Sequence, residues 1–332
     1  MRAHYKSWIG LALSVVFLFL ALRNVEWPDV WKSWRAARLD LLLLGVVLLI
    51  GSWMVAAVRW RILLLSSKRL RVRDTFAYIT IGYLANTVLP LRLGDLARAS
   101  LIGRKKAVGI SRSLGSIAVE RVMDLLMLAA ITLMIALIIE IPAPIQAGLT
   151  TMMGAALIAL TGLIALSFNQ SRLPGLTQWL SKVMPDRLAD RILVLLKDFS
   201  SGADVFRQPM GLLAVVSLSA LVWCLVGLAT LIWIWGFHLE VPWFAGFFVL
   251  IMVNLGSAIP SSPGYVGVYH YLAVLALSLW VPDRSAALAY AIGSHALNML
   301  ANVGLGAYFL TREGISLRDL RAQAGSQKSD AA

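Results

Sequence analysis

Six charged side chains lie close together in a chain that otherwise keeps charge away from its apolar segments: Arg92, Asp95 and Arg98, then Glu120, Arg121 and Asp124. Asp95 and Arg98 are one helical turn apart, as are Arg121 and Asp124, so each pair can form an ion pair. Glu120 and Asp124 fall on one helix face at i, i+4. Counted from Ser113, Glu120 sits about 10 Å along its helix, where an unpaired charge would cost several kcal/mol. A structural ion-pair lock would account for some of this. Ionisable clusters at membrane depth are nevertheless functional sites by default, and guanidinium groups match a phosphate headgroup through bidentate contact.

Two breaks carry the other candidates. Asn86-Thr-Val-Leu-Pro90-Leu-Arg92-Leu-Gly94 and Asn254-Leu-Gly-Ser-Ala-Ile-Pro260-Ser-Ser-Pro263-Gly264 each place an Asn, then an aliphatic residue before Pro, then Gly four residues after that Pro. Proline removes a backbone donor and glycine permits turn geometry, so each is a helix break inside an apolar stretch. Paired breaks in two halves of a membrane protein point to a transport site near the midplane. His270 follows the second break, where a packing role and a proton relay are both open. His295, Asn298 and Asn302 form one polar stripe, read here as helix packing. With no second ligand at metal spacing, no Gly-rich phosphate loop and no nucleophile elbow, neither a metal nor a cofactor is expected.

The elements that must position these residues follow from composition. Of 332 residues, 59% are apolar and 14% charged, with a mean hydropathy of +0.79. Such a chain cannot dress a soluble surface, and it excludes a large extramembrane enzyme domain. The expected fold is an all-α polytopic membrane protein. Apolar segments run over Trp8 to Leu22, Leu41 to Val58, Thr75 to Leu89, Leu114 to Ile139, Ile145 to Phe168, Met210 to Phe237, Trp243 to Ile259, Val266 to Trp280 and Ala286 to Leu310. The first is read as a retained span, since Leu20-Ala21-Leu22-Arg23 is no small-residue cleavage site.

The net charge of +13 comes from 30 Lys and Arg against 17 Asp and Glu. It lies in short runs beside apolar segments, including Arg59 to Arg73, as positive-inside topology and anionic lipids require, so nucleic acid is not an expected partner. Thr75 to Leu89 has a basic loop on both sides. A hairpin that enters from the cytoplasm and turns at Pro90 to Gly94 removes that conflict, leaving about eight spans with both termini inside. The arms around Pro260 to Gly264 are either two spans or a hairpin from outside, and the latter would make an inverted repeat. Trp27, Trp31 and Trp34 mark a short helix lying in the interface, and residues 172–207 a cytoplasmic amphipathic connector. The whole of 1–311 reads as one transmembrane domain, followed by a short disordered cytoplasmic tail over 312–332. Cys224, the single cysteine, leaves no disulfide framework.

In this order, Asn86-x3-Pro90-x-Arg92-x-Gly94-Asp95-x2-Arg98, Glu120-Arg121-x2-Asp124 and Pro260-x2-Pro263-Gly264-x2-Gly267-Val268 resemble the lysylphosphatidylglycerol-synthase transmembrane-region family, also called the flippase-like domain family. The family includes the N-terminal flippase half of the multiple-peptide-resistance factor. The resemblance covers about Trp53 to Leu310. It implies a lipid translocase in a bacterial or archaeal cytoplasmic membrane, with these motifs lining the headgroup path. Cargo would be an aminoacylated phospholipid or a polyprenyl-phosphate-linked sugar, and a lipid-modifying synthase or glycosyltransferase is the expected protein partner. Asp95 stands where glutamate is common, and Tyr265 and His270 where many members have glycine and glutamate. With no aminoacyl-transferase domain after Leu310, synthesis of the lipid is not expected of this chain. The competing expectations are a membrane glycosyl- or headgroup-transferase using the same carboxylates, and a scaffold for a synthase.

Overall fold

The computed structural model describes residues 2–64, 70–88, 93–105, 108–140, 208–256 and 261–316, together with helical stretches between 146 and 162. Pro90, Arg92 and Pro260, the connector over 172–207 and the tail from 317 lie outside the described residues, as does part of the segment Ile145 to Phe168.

Among the described residues every regular element is helical. The order is α1 (Arg2–Leu22), α2 (Trp27–Ala36), α3 (Leu39–Leu63), α4 (Val72–Val88), α5 (Gly94–Lys105), α6 (Ile110–Ala136), α7 (Pro209–Gly236), α8 (Ala245–Gly256), a single 3-10 turn (Pro263–Tyr265), α9 (Val268–Leu277) and α10 (Arg284–Arg312). At least two helices, α3 and α7, are long and apolar enough to cross a membrane. They also form the tightest pair. Gly45 lies flat against the Trp233 indole, where a Cβ would collide with the ring, and Trp233 Nε1 donates to the Leu42 carbonyl at 3.0 Å.

Helix ends follow local chemistry. Asp283 caps α10 by accepting from the Ser285 and Ala286 amides at 2.8 and 3.1 Å. Proline stands in the first turns of α2 and α7, where a missing N–H costs nothing. The axis bends by 82° between α1 and α2. Trp27, Trp31 and Trp34 are exposed on α2 while Val30 is buried, which matches the amphipathic helix read from the sequence.

Both breaks are hairpins. α5 has 12 residues and α8 and α9 have 12 and 10, so each is about 15–18 Å long at 1.5 Å per residue, short of a hydrocarbon core of about 30 Å. The outer half of α4 and the outer end of α5 reach the same residue: Tyr78 Oη donates to Glu313 Oε2 at 3.1 Å, and Lys105 Nζ donates to the Glu313 carbonyl at 2.6 Å. The outer ends of α8 and α9 meet through Phe244 and Trp280, ring centres 5.9 Å apart. The first meeting point is at the C-terminal end of α10. The second lies at the opposite end of the bundle, where the Arg38 amide bonds Gly236 at 2.8 Å and the Glu26 amide bonds Ser285 Oγ at 3.0 Å. The hairpins therefore insert from opposite ends, and their tips face each other where α4 packs on the 3-10 turn.

Candidate functional site: a charged cavity between two hairpin tips

The first hairpin is closed by its own side chain. Asn86 Oδ1 accepts from the Gly94 amide at 2.8 Å, capping α5 across the break. A Cβ on Gly94 would strike the Gly82 carbonyl and the Asn86 amide, so the Asn and Gly of this motif are needed together. This places Asp95 at the first turn of α5 and Arg98 one turn deeper, against α6.

There the charges interlock. Arg98 forks onto Glu120, with Nη2 to Oε1 at 3.0 Å and Nη1 to Oε2 at 3.3 Å, and its Nε donates to Asp95 Oδ1 at 3.0 Å. Its guanidinium carbon stands 4.8 Å from the centre of the Trp60 ring. Arg121 grips both oxygens of Asp95, Nη2 to Oδ1 at 2.9 Å and Nε to Oδ2 at 3.1 Å, and reaches Asp124 Oδ2 at 3.4 Å. The two pairs expected from spacing, Asp95 with Arg98 and Arg121 with Asp124, both form.

A third arginine completes the set, and sequence reasoning assigned it elsewhere. Arg59 reads in the sequence as the start of a basic cytoplasmic run. In the structure it is buried within α3, with Nη1 donating to Asp124 Oδ1 at 2.8 Å and to Ser219 Oγ at 2.9 Å, and Nη2 3.5 Å from Glu120. Only its helical position, one turn inside the end of α3, could have separated it from the loop residues that follow. Trp223 Nε1 adds a bond to Asp124 Oδ1 at 3.2 Å. Three guanidinium and three carboxylate groups thus cancel, which is how charge survives burial here, although Arg59 Nε is buried with no hydrogen-bond partner among the described residues.

The cluster has a closed side and an open side. Arg59, Arg98 and Glu120 are nearly inaccessible, whereas the Arg121 side chain keeps 46% of its surface open and Asp95 31%. The open side lines a cavity of about 460 Å³, within the range of small-molecule sites. Its walls include Asn86 and Thr87 from the first tip and Gly264 and Tyr265 from the second. Glu120 lies about 15 Å from the start of α6 and His295 about 16 Å from the start of α10, at opposite ends of the bundle, so the cavity is at mid-height.

The second tip is built differently from the first. Gly264 has φ +74°, the left-handed region that favours glycine, and a Cβ there would meet only the movable Met299 methyl. Pro263 opens the 3-10 turn. Asn254 bonds back to the Leu250 carbonyl of its own helix at 2.8 Å. His295 does the fastening, with Nε2 2.8 Å from the Gly264 carbonyl. The two breaks thus share their place on the cavity more than their local geometry.

The polar stripe on α10 is part of the cavity wall rather than a helix contact alone. His295, Asn298 and Asn302 all line it, and Asn302 Nδ2 donates to Asn298 Oδ1 at 2.7 Å. His270 stands one layer back: its Nδ1 accepts from the Gly267 amide at 3.3 Å, capping α9, and its ring meets that of His295 edge-on at 4.9 Å.

No solved structure matches this chain significantly. Glycosyltransferase AglD of Haloferax volcanii is 24% identical over 331 residues, an alignment covering 89% of this chain and 52% of that protein. The chain thus spans about half the length of that curated relative. The family model of the lysylphosphatidylglycerol synthase TM region matches residues 7–306, in keeping with the motif resemblance and extending it to α1. The chain, a multi-pass membrane protein, belongs to the lysylphosphatidylglycerol synthase TM region family.

Proposed function

We propose that the protein is a lipid translocase that moves a lipid with a phosphate-bearing headgroup across the cytoplasmic membrane, with both chain termini on the cytoplasmic side. The observation that carries this reading is the mid-height cavity between two oppositely inserted hairpins, walled on one side by Arg121 and Asp95. Broken helices meeting at the midplane are the arrangement by which one site is exposed to alternate sides. A cavity of about 460 Å³ suits a headgroup; the tails remain in the bilayer.

In this reading Asp95 is a resident counter-anion. It occupies the guanidinium fork of Arg121 that a phosphate would use, and exchange of one anion for the other leaves the buried pairs of Arg59 and Arg98 in place. Asn86 and Thr87 at the first tip and Gly264 and Tyr265 at the second line the path, with His270 supporting His295. Native mass spectrometry of lipids retained by the purified protein tests the reading: a phosphate-bearing lipid is retained by the wild type and lost in Arg121→Ala.

A second reading is favoured by one observation, the similarity to AglD, a glycosyltransferase. The chain would then be the membrane part of a transferase, or a scaffold for a partner synthase. Transfer of a labelled sugar from a soluble donor to a lipid acceptor by the purified chain, abolished in Asp95→Asn, would favour the transferase.

A further inference from the structure

The cavity has a second pole, and its chemistry separates the candidate cargoes. On the α10 side its wall carries the amides of Asn298 and Asn302 with the Tyr269 ring, while Asn86, Trp53 and Tyr83 border the charged cluster. The Trp53 and Tyr83 rings pack at 5.3 Å, and Tyr269 stacks on His295 at 4.6 Å with 17° between the planes. The amides are only partly used. Asn302 and Asn298 share one bond through Nδ2 and Oδ1, and Asn86 spends its Oδ1 on Gly94. That leaves Asn298 Nδ2, Asn302 Oδ1 and Asn86 Nδ2, donors and an acceptor, without a further partner among the described residues.

An ammonium-bearing headgroup meets no unpaired carboxylate in this cavity. Each of its three carboxylates is already taken: Asp95 by Arg98 and Arg121, Glu120 by Arg98 and Arg59, Asp124 by Arg59, Arg121 and Trp223. The charged group most open to the cavity is Arg121, which repels a second cation. A headgroup that is anionic at one end and neutral, hydroxyl-rich and partly apolar at the other meets both poles: its phosphate faces Arg121, its hydroxyls pair with amides that both donate and accept, and its C–H faces lie on the rings.

We infer that the cargo headgroup is a neutral sugar joined to its lipid through phosphate, with Arg121 holding the phosphate and Asn298 and Asn302 holding sugar hydroxyls. This rests on the translocase reading and specifies its substrate class. A site built to hydrogen-bond hydroxyls discriminates strongly against a headgroup that leaves its polar groups unpaired.

The test uses the full chain in proteoliposomes with three probes: a hexose linked through phosphate to a polyprenyl chain, the same polyprenyl phosphate without the sugar, and lysyl-phosphatidylglycerol. The sugar lipid is expected to cross about tenfold faster than the lysyl lipid. In the double variant Asn298→Ala, Asn302→Ala, and separately in Asn298→Ser, the ratio of the sugar-lipid rate to the polyprenyl-phosphate rate is expected to fall, by about tenfold in the former. Equal or faster movement of the lysyl lipid, or an unchanged ratio in both variants, overturns the sugar assignment and leaves translocation standing. Movement of none of the three probes overturns the translocase reading and the sugar assignment with it.

Discussion

Arg59 Nη1 lies 2.8 Å from Asp124 Oδ1, a buried contact that ties the end of α3 to the middle of α6 across 65 residues of sequence. The same guanidinium reaches Glu120 and Ser219, so one side chain joins three helices. Truncating it leaves two carboxylates short of a partner in a dry site. Arg59→Ala is expected to cost about 3–5 kcal/mol, the usual cost of breaking a buried pair. Thermal unfolding in detergent reads this. Arg59→Ala combined with Asp124→Ala should lose less than the sum of the single changes, because the residues share one network.

The cap on the first hairpin gives a milder and more local expectation. Asn86→Ala removes the acceptor of the Gly94 amide and is expected to cost about 1 kcal/mol, as loss of an N-cap does. Hydrogen exchange should quicken at the first turn of α5.

Gly264 tests the second tip. An alanine there must adopt φ +74° and share space with Met299. Gly264→Ala is expected to destabilise by about 1–2 kcal/mol from the left-handed conformation alone, with the steric clash added. Pairing it with Met299→Ala should recover the steric part and not the backbone part, read as a partial return of the melting temperature.

Much of this arrangement is legible in the sequence. The basic runs on both sides of Thr75 to Leu89 pointed to a hairpin, and α4 and α5 form one in which both helices reach Glu313. Spacing within one helix gave Asp95 with Arg98 and Arg121 with Asp124, because neighbours at i, i+3 meet by geometry alone. The partners of Arg59 could not be read this way: Ser219 is 160 residues away and Asp124 65, and contacts between helices carry no periodic signature. The α10 stripe looked like packing for a related reason: periodicity finds a polar face and is silent about what that face meets.

The opposed hairpins also fix which loops share a side. Arg104 near the end of α5 and Glu240 after α7 lie at opposite ends of the bundle and are both exposed. In a Cys224→Ser background, Arg104→Cys and Glu240→Cys should be labelled by an impermeant thiol reagent from opposite faces of the membrane. Arg104→Cys is expected to react from the cytoplasmic face. Labelling of both from one face would contradict the paired insertion.

The central claim is that headgroups cross through the cavity beside Arg121. Leaflet-resolved labelling of a phosphate-bearing lipid in proteoliposomes tests it most directly. The wild-type protein should move the lipid well above the rate in protein-free vesicles, and Arg121→Ala should lower that rate by about tenfold, the equivalent of about 1.4 kcal/mol. A wild-type rate no greater than that of protein-free vesicles, or equal rates for wild type and Arg121→Ala with every lipid tried, would contradict it.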